Sequence, residues 1–313
     1  MYVILPASWF HHPFLSNKFR IKTDEQIERI RESGFQEVSI DTSKGLPAKL
    51  DVSGENGESL SEPRTWNPET LCPKGLKKAL SSQALPPEKK SKIVYNSSRL
   101  LIKRLLEDPK VENIRAVKKG ITKIVDLMIS DDAMARHLLT ITSHDCYTYT
   151  HSVNVGFLST LLAKELFRND GVHNMHELGA GFFLHDIGKV RIDQSLLNKP
   201  GALTEDEMKV MKKHPYQGYK ILSEANELSE ESRVIVMQHH ERVDGTGYPN
   251  RLHGKDLHLY GKICSIADVY DALTSQRSYK KRLTPFEALQ FMRDNMLSHF
   301  QRDLFEHFVL LFR

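Results

Sequence analysis

The chain has 313 residues, of which 40% are hydrophobic and 27% are charged, and its formal net charge is +4. This balance is typical of a globular protein, and the length accommodates one large and one small domain. No apolar run approaches the roughly 20 residues of a membrane-spanning helix, so we expect no membrane span. No basic tract interleaved with aromatic residues is present, so we expect no nucleic-acid partner.

The cysteines and the N-terminus indicate the compartment. Cys72, Cys146 and Cys264 are far apart and form no CxxC motif, which argues against a disulfide framework and against a zinc site made of thiolates. The first residues lack the basic segment and the long apolar core of a secretory signal. We therefore expect a cytoplasmic protein.

Residues 1–45 are predicted to form a small α+β N-terminal domain. Residues 26–31 have the spacing of an amphipathic helix, with Gly34 as a stop signal, and residues 37–41 alternate like a short strand. Residues 46–90 are rich in Ser, Pro, Gly, Glu and Lys and contain few large apolar side chains. Because such a segment buries too little apolar surface to order itself, we expect a flexible linker there.

Residues 91–313 are predicted to form a helical domain. Apolar residues recur at spacings of three and four, and no strand pattern of useful length appears after residue 50. Thr204, which precedes three acidic residues, has the pattern of a helix N-cap. The predicted helices include residues 145–167, 178–187, 204–213, 216–222, 230–239, 259–273 and 285–296. The larger domain is therefore expected to be all-α.

Histidines and aspartates stand beside or within these apolar segments. The pair His185-Asp186 follows an apolar run, and Asp268 lies inside another. Burial of imidazoles and carboxylates is costly unless a cation binds them. Taken alone, His151 is better explained as a core histidine, so the metal hypothesis depends on the whole set. Seven donors, mostly imidazoles, with one carboxylate able to bridge, suit two transition metals, and Fe, Mn or Zn fit them better than Ca or Mg. The seven donor residues are His151, His185, Asp186, His214, His239, His240 and Asp268.

The order of these residues resembles the HD-GYP domain, a bacterial branch of the HD phosphohydrolases. The complete His-His-Glu-x-x-Asp-Gly-x-Gly-Tyr-Pro motif occupies residues 239–249. Further matching motifs lie at residues 151–155, 185–189, 199–201, 214–215, 268–273 and 277–279. The resemblance implies an all-α HD-type helical bundle in which the seven donors are the metal ligands and Asp186 bridges two metals. Residues 1–45 also resemble a small domain of unknown function that is often found ahead of this catalytic domain.

HD-GYP domains act on cyclic di-GMP, so the resemblance implies metal-dependent hydrolysis to pGpG, with further hydrolysis to GMP left open. A hydroxide between the two metals would be the nucleophile, and iron is preferred over manganese or zinc. Lys189 lies one turn past His185-Asp186 and is expected to act with Asp186 in catalysis by contacting the reacting phosphate. The residues expected to bind substrate are Arg277 and Lys280, which match the phosphate-binding pair of the family, and Tyr248.

The remaining motif residues are expected to shape the site. Glu241, Asp244, Gly245 and Gly247 would hold the Gly-Tyr-Pro loop, and Asp271 would orient a ligand or an arginine. The family resemblance also implies that this loop binds diguanylate cyclase domains of the GGDEF type. A homodimer is left open.

Two positions differ from the family pattern. Tyr147 stands where some members place a glutamate that holds a third metal, and a phenol with a pKa of about 10 is a poor ligand, so two metals are expected. Phe300-Gln301-Arg302 stands where many relatives have Phe-Asp-Pro. Two alternative functions are kept: a slow or inactive signalling module that binds cyclic di-GMP or a cyclase, and an HD hydrolase of another cyclic dinucleotide.

Overall fold

The computed structural model describes residues 85–141, 148–168, 171–199, 201–275 and 282–313, together with residues 2–4, 18–21, 23, 26–27, 30, 38–40, 76 and 79. The chain divides into two compact units, Met1–Thr65 and Trp66–Arg313. This division differs from the boundaries expected at residues 45 and 90, which stay a prediction. Leu76 and Ala79, which lie inside the predicted linker, are buried in the core of the second unit.

The first unit contains a three-stranded antiparallel sheet. The strands are β1 (Tyr2–Ile4), β2 (Lys18–Arg20) and β3 (Ser39–Ile40), and β1 lies in the middle. Val3 is opposite Phe19 on one side and Ile40 on the other. Residues 26, 27 and 30, inside the predicted helix, have helical conformation. Strand and helix are thus both present, while the α+β assignment of the whole segment stays a prediction.

The second unit is all-α in its described part, which confirms the predicted class of the larger domain. No helix among the described residues is long and apolar enough to cross a membrane. Two short 3₁₀ turns occupy Ile187–Arg191 and Leu297–His299. The helices are α1 (Pro87–Glu107), α2 (Val111–Ser130), α3 (Asp132–Ile141), α4 (Thr148–Leu166), α5 (Met175–Leu184), α6 (Gln194–Leu197), α7 (Glu205–Met211), α8 (His214–Glu224), α9 (Glu230–Gln238), α10 (Leu259–Thr274), α11 (Pro285–Asn295) and α12 (Arg302–Leu310).

Side-chain caps determine where several helices begin. The predicted cap at Thr204 is confirmed, because its hydroxyl accepts from the Glu207 amide and the Glu207 carboxylate accepts from the Thr204 amide. Thr284 and Glu287 form the same reciprocal pair at the start of α11. Each such cap contributes about 1 kcal/mol to helix stability. These caps fix the starts of α7 and α11.

The central helix α4 is buried on nearly every side. Val153 and Phe157 pack into a core cluster that includes residues of α1, α2 and α3. Val155, Leu158 and Leu162 pack into a second cluster with residues of α10 and α12. A helix between two cores has no broad polar stripe, which matches its mostly apolar sequence. This packing holds the first turn of α4, which carries His151, in a fixed place.

A close backbone approach joins the 3₁₀ turn Ile187–Arg191 to α8. A Cβ added at Gly188 would lie 1.9 Å from the carbonyl oxygen of His214 and 2.4 Å from the amide nitrogen of Gly218. Both atoms belong to the backbone, so no side chain could move to relieve the clash. Gly188 therefore lets the segment after Asp186 contact the start of α8, where His214 lies.

Gly188→Ala is expected to destabilise the protein by roughly 3 kcal/mol, because the methyl group overpacks two backbone segments. Urea unfolding followed by circular dichroism measures the loss. Gly171→Ala is the control, since a Cβ there meets nothing within 4 Å. If Gly188→Ala unfolds at the wild-type urea concentration, the close approach is not as tight as described.

Candidate metal centre

The structure brings the seven predicted donors together from five segments. His151 comes from α4, the pair His185-Asp186 follows α5, and His214 begins α8. His239 and His240 follow α9, and Asp268 lies within α10. The donor atoms form two groups, each with its atoms within 4.8 Å of one another: Asp186, His214, His239 and His240 in one, and His151, His185 and Asp268 in the other.

The carboxylate of Asp186 lies between the two groups. Its Oδ1 is 3.2 Å from Nε2 of His214 and 3.7 Å from Nε2 of His239. Its Oδ2 is 3.5 Å from Nε2 of both His151 and His185. Each oxygen thus faces a different set of imidazoles, which is the arrangement that a bridging carboxylate requires. A second link runs through Asp268, whose oxygens are 3.0 Å from His151 Nε2 and 3.3 Å from His240 Nδ1.

Backbone carbonyls fix the tautomers of three of the imidazoles. Nδ1 of His185 donates to the Phe182 carbonyl at 2.8 Å, and Nδ1 of His214 donates to the Met211 carbonyl at 2.9 Å. His239 makes the equivalent bond to Val236 at 2.9 Å. With Nδ1 donating to a carbonyl, each ring can present the lone pair of Nε2 toward Asp186. An oriented Nε2 lone pair is what a metal ligand needs.

Unpaired polar atoms show that the site fits a cation. Nε2 of His185 and Oδ1 of Asp186 are buried and have no hydrogen-bond partner among the described residues. Nε2 of His214 and Nε2 of His239 lie 3.2 Å apart, so that two lone pairs face each other. Both features cost free energy unless a cation lies between these atoms. The His/Asp cluster therefore fits a divalent metal centre.

The electrostatics of the site also favour cation binding. Burial lowers the pKa of His214 to about 4 and holds the pKa of His239 well below its usual value, so both rings are neutral at pH 7. Burial by itself raises the pKa of Asp186, but the Lys189 ammonium lowers it well below the usual range, and the carboxylate stays ionised. For His151, burial lowers the pKa, but hydrogen bonds to Asp268 and Asp271 outweigh it and raise the pKa to about 9. A metal at this ring has to replace the Nε2 proton, and the carboxylates that stabilise the proton also favour a metal cation in its place.

A polar network orients His151. Its Nδ1 donates to Oδ2 of Asp271 at 2.7 Å, and Nδ2 of Asn154 donates to Oδ1 of Asp271 at 2.7 Å. The hydroxyl of Tyr95 on α1 donates to Oδ1 of Asn154 at 2.8 Å. Sequence reasoning assigned an orienting role to Asp271 but none to Asn154 or Tyr95. The sequence contains one signal for the role of Asn154, because a polar amide side chain three residues after His151 on an apolar helix indicates a buried hydrogen-bond partner.

The Gly-Tyr-Pro loop is held by two carboxylates. Glu241 is fully buried, and its oxygens accept from the amides of Asn250 at 2.6 Å and Leu252 at 3.0 Å. Asp244 accepts from the amide of Thr246 at 3.0 Å and from the hydroxyl of Ser298 at 3.2 Å. Both carboxylates thus contact the backbone or side chains of the loop and its surroundings, and their role in shaping it stays a prediction. Sequence reasoning did not identify Ser298, which lies 54 residues further along the chain.

Both glycines of this loop occupy positions that a side chain would not fit. Gly245 has φ +76°, and a Cβ there would lie 2.1 Å from the His253 ring. A Cβ at Gly247 would lie 2.5 Å from the backbone of Arg242. The loop can therefore fold back on itself and place Tyr248 beside the ligands. The Tyr248 ring is 4.7 Å from the His240 ring, centroid to centroid.

Other predicted site residues have different placements. Nζ of Lys189 donates to Oδ2 of Asp186 at 2.5 Å, so the structure places this lysine at the metal centre. Arg277, Lys280 and Tyr147 lie outside the described residues. Phe300, at the segment that departs from the family pattern, is buried in the second core cluster.

Asp271→Asn is expected to weaken metal binding by about 10- to 100-fold, because the amide no longer fixes the His151 ring with a charged hydrogen bond. Competition with a chelator of known affinity measures the change, and circular dichroism monitors the fold. Asp126→Asn is the matched control, since Asp126 bonds Nε2 of the exposed His176 at 2.7 Å. Wild-type affinity in Asp271→Asn would show that His151 does not depend on this contact.

Known families match both parts of the chain. A family model described as an HD domain matches residues 136–304, and a domain of unknown function, DUF3391, matches residues 1–126. The match to DUF3391 confirms the resemblance noted for the N-terminal part, although it extends beyond residue 45. The chain is 31% identical to "Cyclic di-GMP phosphodiesterase PA4108" of Pseudomonas aeruginosa, over 97% of this chain and 72% of that protein.

A second relative and a solved structure agree with this match. The chain is 43% identical to "3'3'-cGAMP-specific phosphodiesterase 2" of Vibrio cholerae, over 39% of this chain and only 24% of that protein. The solved structure of Bd1817, described as a HDG"Y"P protein from Bdellovibrio bacteriovorus, superposes with a TM-score of 0.64. It is 22% identical and covers 76% of this chain and 77% of its own, so it supports the fold alone. The chain belongs to the HD domain family.

Proposed function

We propose that this protein is a metal-dependent phosphodiesterase that hydrolyses cyclic di-GMP to pGpG. The observation that carries the proposal is the Asp186 carboxylate, buried between two groups of imidazoles with its Oδ1 unpaired. Such a site serves to bind metal and activate water at a phosphate. The relative that is similar over 97% of this chain is named a cyclic di-GMP phosphodiesterase, which supports this substrate.

The proposed cofactors are two divalent transition metals. Asp186 Oδ1, His214, His239 and His240 would hold one, and His151, His185, Asp268 and Asp186 Oδ2 would hold the other. Imidazole nitrogen dominates the donor set, which suits iron, manganese or zinc better than calcium or magnesium. Among the three, iron is preferred on the family resemblance, with manganese or zinc as alternatives. When bound, the metals supply Lewis-acid polarisation of the phosphate and a water nucleophile that is ionised at neutral pH. We expect no third metal, because Tyr147 is a poor ligand.

Lys189 is the proposed catalytic cation. The side chain is partly exposed, whereas Asp186 is buried, so the ammonium lies on the solvent side of the carboxylate that it contacts. From there it can donate to an oxygen of the phosphate and stabilise negative charge that develops during bond cleavage. The donor is already in place before the reaction, so no reorganisation is needed. Asp186 would position both the metals and this ammonium.

Substrate contacts beyond the metals are proposed on three residues. Tyr248 forms one wall of the site, since its ring lies beside those of His240 and His214. Arg277 and Lys280 follow α10, the helix that carries Asp268, and the planar guanidinium of arginine suits bidentate contact with phosphate. Diguanylate cyclase domains as partners of the Gly-Tyr-Pro loop, a homodimer and a cytoplasmic location also stay predictions.

Turnover of cyclic di-GMP by metal-loaded protein, with chromatographic separation of pGpG and GMP, tests the proposal. Lys189→Ala is expected to lower kcat by about 100- to 1000-fold because it removes a charged donor to the phosphate. Lys209→Ala is the matched control, since Lys209 forms an ion pair of the same i,i+3 spacing with the exposed Asp206.

Three outcomes would contradict parts of this proposal. Binding of cyclic di-GMP without product would identify a signalling module instead of an enzyme. Faster hydrolysis of 3'3'-cGAMP would reassign the substrate, an alternative that the Vibrio cholerae relative makes worth testing. Unchanged kcat in Lys189→Ala would remove the catalytic role of the lysine.

A further inference from the structure

An exposed lysine lies at the rim of the metal centre. Lys212 caps the C-terminal end of α7, two residues before His214, and its Nζ is 5.2 Å from the centroid of the Tyr248 ring. The Tyr248 ring in turn lies 4.7 Å from the ring of His240, with 32° between their planes. The Tyr248 ring therefore lies between the Lys212 ammonium and the proposed metal ligand His240. Sequence reasoning did not single out Lys212.

The charge of Lys212 is not neutralised within the described part of the chain. Two nearby lysines are in ion pairs, since Lys199 contacts Glu207 at 2.5 Å and Lys209 contacts Asp206 at 2.8 Å. Lys189 is bonded to Asp186. For Lys212, no carboxylate among the described residues lies within ion-pair distance, and its contact is an aromatic face. The ammonium is thus available to an anion that approaches the site.

The aromatic contact holds this charge in position without cancelling it. Cation–π attraction favours an ammonium over the face of a ring, and the ring does not neutralise its charge. The ring is itself held from the backbone side, because the Tyr248 amide donates to the His240 carbonyl at 3.1 Å. Lys212 therefore has a defined place at the rim.

A cyclic dinucleotide carries two phosphates, and only one can lie at Asp186 during cleavage. The second phosphate stays negatively charged and lies outside the metal centre, on the side from which substrate enters. We propose that Lys212 binds this second phosphate and so selects substrates with two phosphodiesters over substrates with one. The inference rests on the proposed phosphodiesterase function and adds a specificity residue to it.

Steady-state kinetics of metal-loaded protein test this role. Lys212→Ala is expected to raise KM for cyclic di-GMP by about tenfold, the scale of one hydrogen bond to a charged group. Its kcat for cyclic di-GMP should be unchanged, and both constants for bis(p-nitrophenyl) phosphate, which has one phosphodiester, should be unchanged. KM for cyclic di-GMP should also rise less steeply with salt than in the wild type, because one charge contact is missing. Lys212→Arg should keep KM within about threefold of the wild type because it keeps the charge.

Lys220→Ala is the matched control, since Nζ of Lys220 lies 4.9 Å from the ring centroid of Tyr216, which is half exposed. It should leave KM for both substrates unchanged. The inference is overturned if Lys212→Ala binds cyclic di-GMP like the wild type, or if KM rises equally for both substrates. Failure of the wild-type protein to hydrolyse cyclic di-GMP at all would reject the proposed function, and this inference with it. The two failures are therefore distinguishable.

Discussion

The burial of one carboxylate is the constraint on which the site depends. Asp186 is 1% exposed, and an isolated charge at such a depth would be strongly unfavourable. Lys189 compensates Oδ2, whereas Oδ1 faces the lone pairs of His214 and His239 without a hydrogen bond. One ammonium therefore leaves half of the carboxylate unsatisfied. A metal centre resolves both the unpaired oxygen and the facing imidazole nitrogens.

Several features of the fold serve this one residue. The helix α5 ends at Leu184, so His185 and Asp186 lie, still buried, between this helix and the 3₁₀ turn Ile187–Arg191. Gly188 lets that turn contact the start of α8, which brings His214 to Oδ1. On the other side, α4 is fixed between two core clusters and carries His151 to Oδ2. The network through Asp271, Asn154 and Tyr95 links that imidazole to α1.

Much of the helical domain and of the set of proposed metal ligands can be predicted from the sequence, because both depend on patterns among residues close together in the chain. Apolar periodicity predicts α9 to α11 within two residues of their observed ends. His and Asp side chains at the ends of apolar segments indicate a buried polar site, since burial of such groups is costly unless they have a binding partner. Helix α8 begins earlier than expected, at His214, because Pro215 suits the first turn of a helix and needs no amide partner.

What could not be predicted depends on contacts between distant segments. Tyr95 is 59 residues from Asn154, and no local pattern relates them. Leu76 and Ala79 lie in a polar stretch, but partners far along the chain bury them in the helical core. Lys212 reads as one of several surface lysines until the Gly-Tyr-Pro loop places Tyr248 beside it. Spacing along a helix carries no information about which loop will cover its end.

Metal content tests the central claim most directly. Anaerobically purified wild-type protein and its Asp186→Asn variant would be analysed by inductively coupled plasma mass spectrometry, with circular dichroism to verify the fold. The account predicts two divalent transition metals per wild-type chain and the loss of both in the variant, because each oxygen of Asp186 would hold one of them. A folded Asp186→Asn variant that keeps the wild-type metal content would contradict it.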